Sequence, residues 1–257
     1  MPGTLGDRTR QTGRLVAMGA WTILCYLVWL PIALLSLVSS RATQRWNGLV
    51  IRMWSRGLLA TMGFEVEVRG VAPRKPFFLV CNHLSYMDIL VLGSRLGSTF
   101  ISKHELASWP VLGHLARVSG TIFVNRRVRR DALRVHREID RAIARGAGVV
   151  LFPEGTSSRG DRVYPLRTAL LEWAAQGGFP VHTATVSYST GDPARPAERA
   201  VCWWGDMTFG PHILELLSLR RVHALLSFHP VPVVERDRNR MAARLLAMLE
   251  SGFVPVA

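Results

Sequence analysis

CNHLSYMDIL, residues 81–90, follows the apolar run FFLV at 77–80 and sets a histidine five positions before an aspartate. A short continuous apolar run of this kind reads as a buried strand. Five positions on an unbroken helix would turn the two side chains about 140° apart, so the chain must bend between them. His83 then stands at the carboxyl end of the strand, residues 84–87 make the bend, and Asp88 opens a helix over DILVLGSRL. An imidazole whose second nitrogen faces a carboxylate is kept in one tautomer and gains basicity as positive charge develops, which is general-base machinery. The same residues also serve as a histidine holding a turn and an aspartate capping a helix, and the pair alone does not choose between these uses.

Working outward, FEVEVRG (64–70) alternates like a strand with one wet face, and further short apolar runs occur at TFIS (99–102), TIFV (121–124), VVLF (149–152), VHTATV (181–186), AVCWW (200–204) and LLSFH (225–229). Helical patterns separate most of them. The clearest covers 128–145, with Ala132, Leu133, His136, Ile139 and Ile143 as an apolar stripe and Arg130, Arg134, Arg137, Arg141 and Arg145 as a basic one. A closing helix over 237–250 puts Met241, Leu245, Met248 and Leu249 on its core face. Strands alternating with helices predict an α/β domain, a mixed central sheet flanked by helices, with its site at the carboxyl ends of the strands.

A second strand end sharpens that expectation. VVLFPEGTSSRG (149–160) leaves an apolar run for a turn carrying Glu154, Gly155, Thr156, Ser157 and Ser158. Two strand ends would deliver His83 and Glu154 to one edge of the sheet. TIFVNRR brings Arg126 and Arg127 to a third, and ISKHEL brings Lys103 to a fourth. Cations beside a histidine base suit an anionic substrate.

Composition limits the alternatives. The 257 residues are 49% hydrophobic and carry a formal charge of +14, so the chain can bury a core and is drawn to polyanions, nucleic acid or anionic lipid. Cys25, Cys81 and Cys202 are too few and too scattered for a disulfide framework, which suits a reducing compartment. Residues 15–38 contain no charge, enough for about 36 Å of helix against a hydrocarbon core of about 30 Å. Arginines flank the run on both sides (Arg8, Arg10, Arg14; Arg41, Arg45, Arg52), leaving orientation open, and Pro31 allows a bent or monotopic arrangement. Membrane attachment is the reading taken. The others are a cleaved signal peptide, with small residues Val38 and Ser40 near the cut, and a core helix packed through Trp21, Tyr26 and Trp29. Residues 47–63 form an amphipathic helix (Leu49, Val50, Met53, Leu58, Leu59, Met62) interrupted by Arg52 and Arg56, lying among head groups or packed on the domain. The expected division is therefore 1–63 as membrane-anchoring helices and 64–257 as the α/β domain.

Several chemistries fail on spacing. GTSSRG lacks the Lys-Ser/Thr that completes a phosphate loop, no G-x-S-x-G elbow occurs, and no histidine pair has zinc-ligand spacing. The arginine stripe is not interleaved with aromatics as base stacking requires, so nucleic acid is not an expected partner. A basic membrane- or nucleic-acid-binding module is the non-enzymatic alternative.

Together the blocks resemble the glycerolipid acyltransferase family, of the 1-acylglycerol-3-phosphate acyltransferase type. Asn82, His83 and Asp88 match its first block; Gly120, Ile122, Phe123 and Arg126 the second; FPEGT (152–156) the third; and GGFPVHTATV, from Gly177, the fourth. ISKHELASWPVLGHLARVSG (101–120) is similar to its linking segment, with Lys103, Glu105, Pro110 and Gly113 in place. The resemblance covers roughly residues 45–235. It implies a membrane enzyme in which His83, oriented by Asp88, deprotonates a lysolipid hydroxyl as it attacks an acyl thioester. It further implies that Glu154, Gly155 and Thr156 help bind the acceptor, and that Arg126 with Lys103 holds its phosphate. No metal or cofactor is implied; acyl-CoA or acyl carrier protein is the co-substrate and lysophosphatidic acid the expected acceptor. The implied location is the inner (cytoplasmic) membrane, with the catalytic domain facing the cytoplasm.

Two departures bear on the acceptor. Many relatives follow FPEGT with arginine, where this chain has Ser157 and reaches an arginine only at Arg159. VCWWGDMTFGPHILELL (201–217) is similar to a segment of bacterial relatives that include lyso-ornithine lipid acyltransferases, whose acceptor carries no glycerol phosphate.

Overall fold

A computed structural model of the chain describes residues 5–32, 37, 39–128 and 130–256. Helices α1 (Leu5–Trp29) and α2 (Ser40–Met62) precede strands β1 (Phe64–Arg69) and β2 (Phe77–Cys81), helix α3 (Met87–Leu96) and strand β3 (Thr99–Lys103). A 3₁₀ turn (His104–Ser108), α4 (Leu112–Val118), β4 (Ile122–Val124), α5 (Asp131–Ala144) and β5 (Gly148–Leu151) follow. The chain closes through α6 (Leu171–Gly177), β6 (Val181–Ser189), α7 (Ala197–Ala200), α8 (Phe209–Ser218), β7 (Val222–Phe228) and α9 (Arg238–Gly252).

The strands form one seven-stranded sheet in the order β1-β7-β6-β2-β5-β3-β4. All pairs are parallel except β6 with β7, so β2 to β6 point one way and β1 and β7 the other. This is the expected mixed sheet. β2 is buried along its whole length because it lies at the centre, with β6 and β5 as neighbours. One face packs Leu79 and Cys81 against Leu58 and Met62 of α2, Val91 of α3 and Leu216 of α8. The other packs Phe78 and Val80 against Ile139 of α5, Leu171 of α6 and Leu245 of α9.

α1 and α2 form an antiparallel hairpin joined by indole hydrogen bonds. Trp21 Nε1 donates to the Trp54 carbonyl (3.2 Å), Trp54 Nε1 to Thr22 Oγ1 (3.0 Å) and Trp29 Nε1 to Asn47 Oδ1 (3.2 Å). Gly57 admits the Trp21 ring; a Cβ there would lie 2.1 Å from its Nε1. Arg10 and Arg14 donate to the carbonyls of Ser218, Leu217 and Leu219, covering the end of α8. α1 is long and apolar enough to cross a membrane, and Cys25 is its one buried residue among those described, so it is not a buried core helix, although Trp21, Tyr26 and Trp29 make the internal contacts that alternative expects. Val16, Ile23, Leu24 and Leu27 face outward. Part of the expected uncharged run, including Val38 at the candidate cleavage point, lies outside the described residues.

Three expectations need correction. α2 begins seven residues before Asn47, capped by Ser39, and packs on the domain through Val50, Ile51, Leu58, Leu59 and Met62, leaving Leu49 54% exposed. α5 begins at Asp131, and its buried line is Val135 and Ile139, with Leu133 exposed. Arg134 turns that helix, clamped to Asp131, Glu138 and the Phe123 carbonyl. AVCWW is not a strand: after Pro196 the chain makes the single turn α7, and Val201 and Cys202 both donate to Ala197 while fully buried.

Candidate active site

The strand–turn–helix around His83 forms as its spacing requires. β2 ends at Cys81, α3 starts at Met87, and Asp88 lies in the first helical turn. Its carboxylate is not a conventional cap. Asp88 Oδ2 accepts from His83 Nδ1 at 2.7 Å and from the backbone amides of Leu84 (2.7 Å) and Ser85 (3.0 Å). Oδ1 accepts from the Tyr188 hydroxyl at 2.6 Å. Four donors thus surround a carboxylate with no solvent exposure, while the His83 side chain is 22% exposed. A buried carboxylate bonded at Nδ1 places the ring proton there and leaves the Nε2 lone pair as the open base. The imidazole also stacks on Phe152, centroids 4.2 Å apart, which fixes its plane.

Glu154 reaches the same point from β5. Its Oε1 accepts from the His83 amide (2.7 Å) and its Oε2 from the Tyr164 amide (2.8 Å). Both oxygens are therefore engaged by backbone, and the side chain ties the end of β2 to the loop ahead of α6. Burial pushes its pKa up to about 7, against the lowering effect of the two amides, with the Asp88 charge adding to the rise. Ser158 N donates to the His83 carbonyl at 2.9 Å, and Asn82 bonds both polar groups of Val186 on β6. The histidine is thus held from every side but one.

Gly155, next along, has φ +80°, a conformation that favours glycine. Arg126 Nη1 donates to its carbonyl, and a Cβ at 155 would lie 2.6 Å from Nε of Arg167. Two guanidiniums thus converge on one residue of the loop after β5. Neither forms an ion pair among the described residues. Desolvation, then the charge of Arg167, lowers the Arg126 pKa from its ordinary value. Thr156 is exposed at the rim. Lys103 sits across the site, its Nζ 5.7 Å from the Trp203 ring centroid. Trp203 is itself anchored there, donating from its amide to Leu84 and accepting from the Ser157 hydroxyl.

His83, Asp88 and Glu154 meet by direct hydrogen bonds, Arg126 joins them at Gly155, and Lys103 and Thr156 flank them. Tyr188 and Arg167 were missed by sequence reasoning. Tyr188 carries one legible signal, a hydroxyl-bearing ring in register with the buried positions of β6. Arg167 stands alone between short loops and carries none. Among the described residues no group of three or more His, Cys, Asp or Glu side chains is placed to hold a metal ion.

The fold is that of an α/β acyltransferase. It superposes with a TM-score of 0.61 on the crystal structure of the 1-acyl-sn-glycerophosphate (LPA) acyltransferase of Thermotoga maritima, at 18% identity, covering 93% of this chain and 97% of that one. Residues 64–187 match the family model described as Acyltransferase. The chain is 33% identical over 239 residues to a lyso-ornithine lipid O-acyltransferase of Rhizobium meliloti, covering 88% of this chain and 80% of that protein. It is 30% identical over 200 residues to a 1-acyl-sn-glycerol-3-phosphate acyltransferase of Neisseria meningitidis, covering 77% of each. The chain belongs to the Acyltransferase family.

Proposed function

We propose that the protein transfers a fatty acyl group from a thioester donor to the hydroxyl of a lysolipid whose head group carries an anionic group, with His83 as the base. The observation carrying this reading is the 2.7 Å contact between His83 Nδ1 and the buried Asp88 carboxylate, which leaves Nε2 open at the sheet edge. Nε2 removes the proton as the acceptor oxygen attacks the thioester carbonyl. The tetrahedral intermediate then expels thiolate, which recovers the proton from the imidazolium, giving an ester and a free thiol. Asp88 keeps its charge throughout and stabilises the transient imidazolium. Glu154 holds the loop that carries Gly155 and Thr156, and Arg126 meets the anionic group of the head.

Between acceptors, we favour an ornithine-containing lysolipid. The chain is 35% and 33% identical to lyso-ornithine lipid O-acyltransferases of Pseudomonas aeruginosa and Rhizobium meliloti, against 30% for the Neisseria meningitidis glycerophosphate enzyme. Ser157, tied to Trp203, brings no cation of its own to the loop. Lysophosphatidic acid stands as the second reading, on the four sequence blocks and the Neisseria meningitidis relative. The α1–α2 hairpin is read as lying in the interfacial layer of the inner membrane, its outward Leu and Ile residues in lipid, the catalytic domain on the cytoplasmic side and its catalytic edge at the interface. Indole bonds along the hairpin and arginine bonds to α8 support that posture over a separate span.

Purified protein given labelled acyl-CoA or acyl carrier protein and equal amounts of both lysolipids, followed by product identification, tests the reading. Esterified ornithine lipid should dominate, and His83→Ala should abolish it. Turnover by His83→Ala equal to wild type would refute the base assignment.

A further inference from the structure

Across the sheet from His83 lies a groove of about 560 Å³ whose chemistry the acyl transfer does not use. Five cations line it: Arg41, Arg45 and Arg52 from α2, Lys75 ahead of β2, and Arg145 after α5. No Asp or Glu does. Among the described residues none of the five enters an ion pair. Lys75 Nζ donates to the Gly97 carbonyl at 2.5 Å, and desolvation, with Arg52 close by, lowers its pKa to about 8. Gln44, on the same wall, has a buried side-chain nitrogen with no hydrogen-bond partner. The wall gathers positive charges that have no carboxylate partner among the described residues, and an anion bound there would relieve their mutual repulsion and accept from their free donors.

The groove is separate from the acceptor site. Lys75 leads into β2 and Gly146 into β5, whereas His83 and Glu154 leave those strands at the other end. Five residues of β2 alone span about 17 Å. Its surroundings identify the occupant. Leu49 lines the groove and is exposed, and Leu30, just past the end of α1, and Leu37 are exposed apolar residues of the same N-terminal segment. A ligand with an anionic head and apolar chains fits both surfaces at once.

We propose that this groove binds the phosphate of an anionic bilayer phospholipid, with its acyl chains along the hairpin, as a membrane-docking site distinct from the catalytic one. This rests on the interfacial reading of the hairpin given above. The test is flotation of the full-length protein with vesicles of phosphatidylcholine alone or with phosphatidylglycerol added. Wild type should bind both kinds, and the anionic ones more tightly. Arg45→Gln/Lys75→Gln should cut the anionic preference about tenfold to thirtyfold. Arg41→Gln/Arg45→Gln, which spares the Lys75 contact, should lower it to a similar extent. Arg137→Gln/Arg141→Gln on α5 removes the same charge elsewhere and should keep the preference. Acyl transfer in detergent should match wild type in all three variants.

Loss of preference in the α5 control equal to that in the groove variants would overturn the site in favour of net charge. So would full preference in both groove variants. Inorganic phosphate that raises the Tm of wild type but of neither groove variant, without vesicle preference, would mark a free-phosphate site and overturn the lipid assignment. Wild type bound equally to both vesicles refutes this inference alone; wild type bound to neither refutes the interfacial hairpin and this inference with it.

Discussion

Replacing Asp88 with asparagine separates charge from shape at the centre of the site. The side chain accepts four hydrogen bonds, three at Oδ2 and one at Oδ1. An asparagine whose carbonyl oxygen takes the Oδ2 position keeps the bonds from His83, Leu84 and Ser85. Its amide then donates to the Tyr188 oxygen, since a hydroxyl both donates and accepts. Three contacts are kept and the fourth is reversed, so the negative charge goes and the buried Tyr188 hydroxyl proton loses its acceptor. The cost to folding should be about 1–3 kcal/mol, the penalty for one buried donor left without an acceptor, with weakened charge-assisted bonds offset by relief of a buried charge. Turnover should suffer far more. The imidazolium formed in the transition state loses its counter-charge, and general-base catalysis contributes about 10²–10⁴-fold, or roughly 3–5 kcal/mol at 1.36 kcal/mol per decade. The assay pairs thermal melts with steady-state kinetics on the purified variant. The expected result is a small shift in Tm, unchanged acceptor KM, and kcat lowered at least a hundredfold. A folded Asp88→Asn enzyme with kcat within threefold of wild type would refute the pairing as the source of basicity.

Glu154 should make stability depend on pH. Its folded pKa, about 7 against the ordinary 4.5, means the folded state holds the proton more tightly; the resulting stabilisation is full below about pH 4.5 and fades as pH rises through 7. Glu154→Gln should flatten that part of the Tm–pH profile and lower Tm at pH 5, since its amide nitrogen cannot accept from one of the two backbone donors; identical profiles would contradict the assignment. Arg167, which converges with Arg126 on Gly155, is read as a second cation for the head group: Arg167→Gln should raise acceptor KM about tenfold, with kcat and donor KM little changed, and Arg167→Lys should recover part of the loss; an unchanged acceptor KM would refute that role.

Much of this site could be read from local order. FFLV before CNH and VVLF before PEGT place His83 and Glu154 at neighbouring strand ends, because parallel strands in a layered sheet release their turns at one edge. The Asp88 contact follows from a bend of four residues. What stayed hidden depends on separation along the chain. Tyr188 reaches Asp88 across 100 positions, and no periodicity connects them. Arg167 meets Gly155 only because the loop ahead of α6 folds back, with its amide bonded to Pro153. AVCWW misled because burial selects apolar residues whatever the backbone does, and a run of five is too short to show a period. Pattern left the apolar face of 47–63 open between head groups and the domain; α2 has two coverings, α1 and the domain, and its residue 49 meets neither fully.

Main-chain amides at 83, 84, 85 and 164 hold the two acids that frame the base. Because any amino acid except proline supplies such a donor, drift at 84, 85 and 164 leaves the reactive geometry standing. Arg126, Arg167 and Ser157 lie outside that lattice of amides, so descendants of one ancestor can exchange preferred head groups without rebuilding the chemistry.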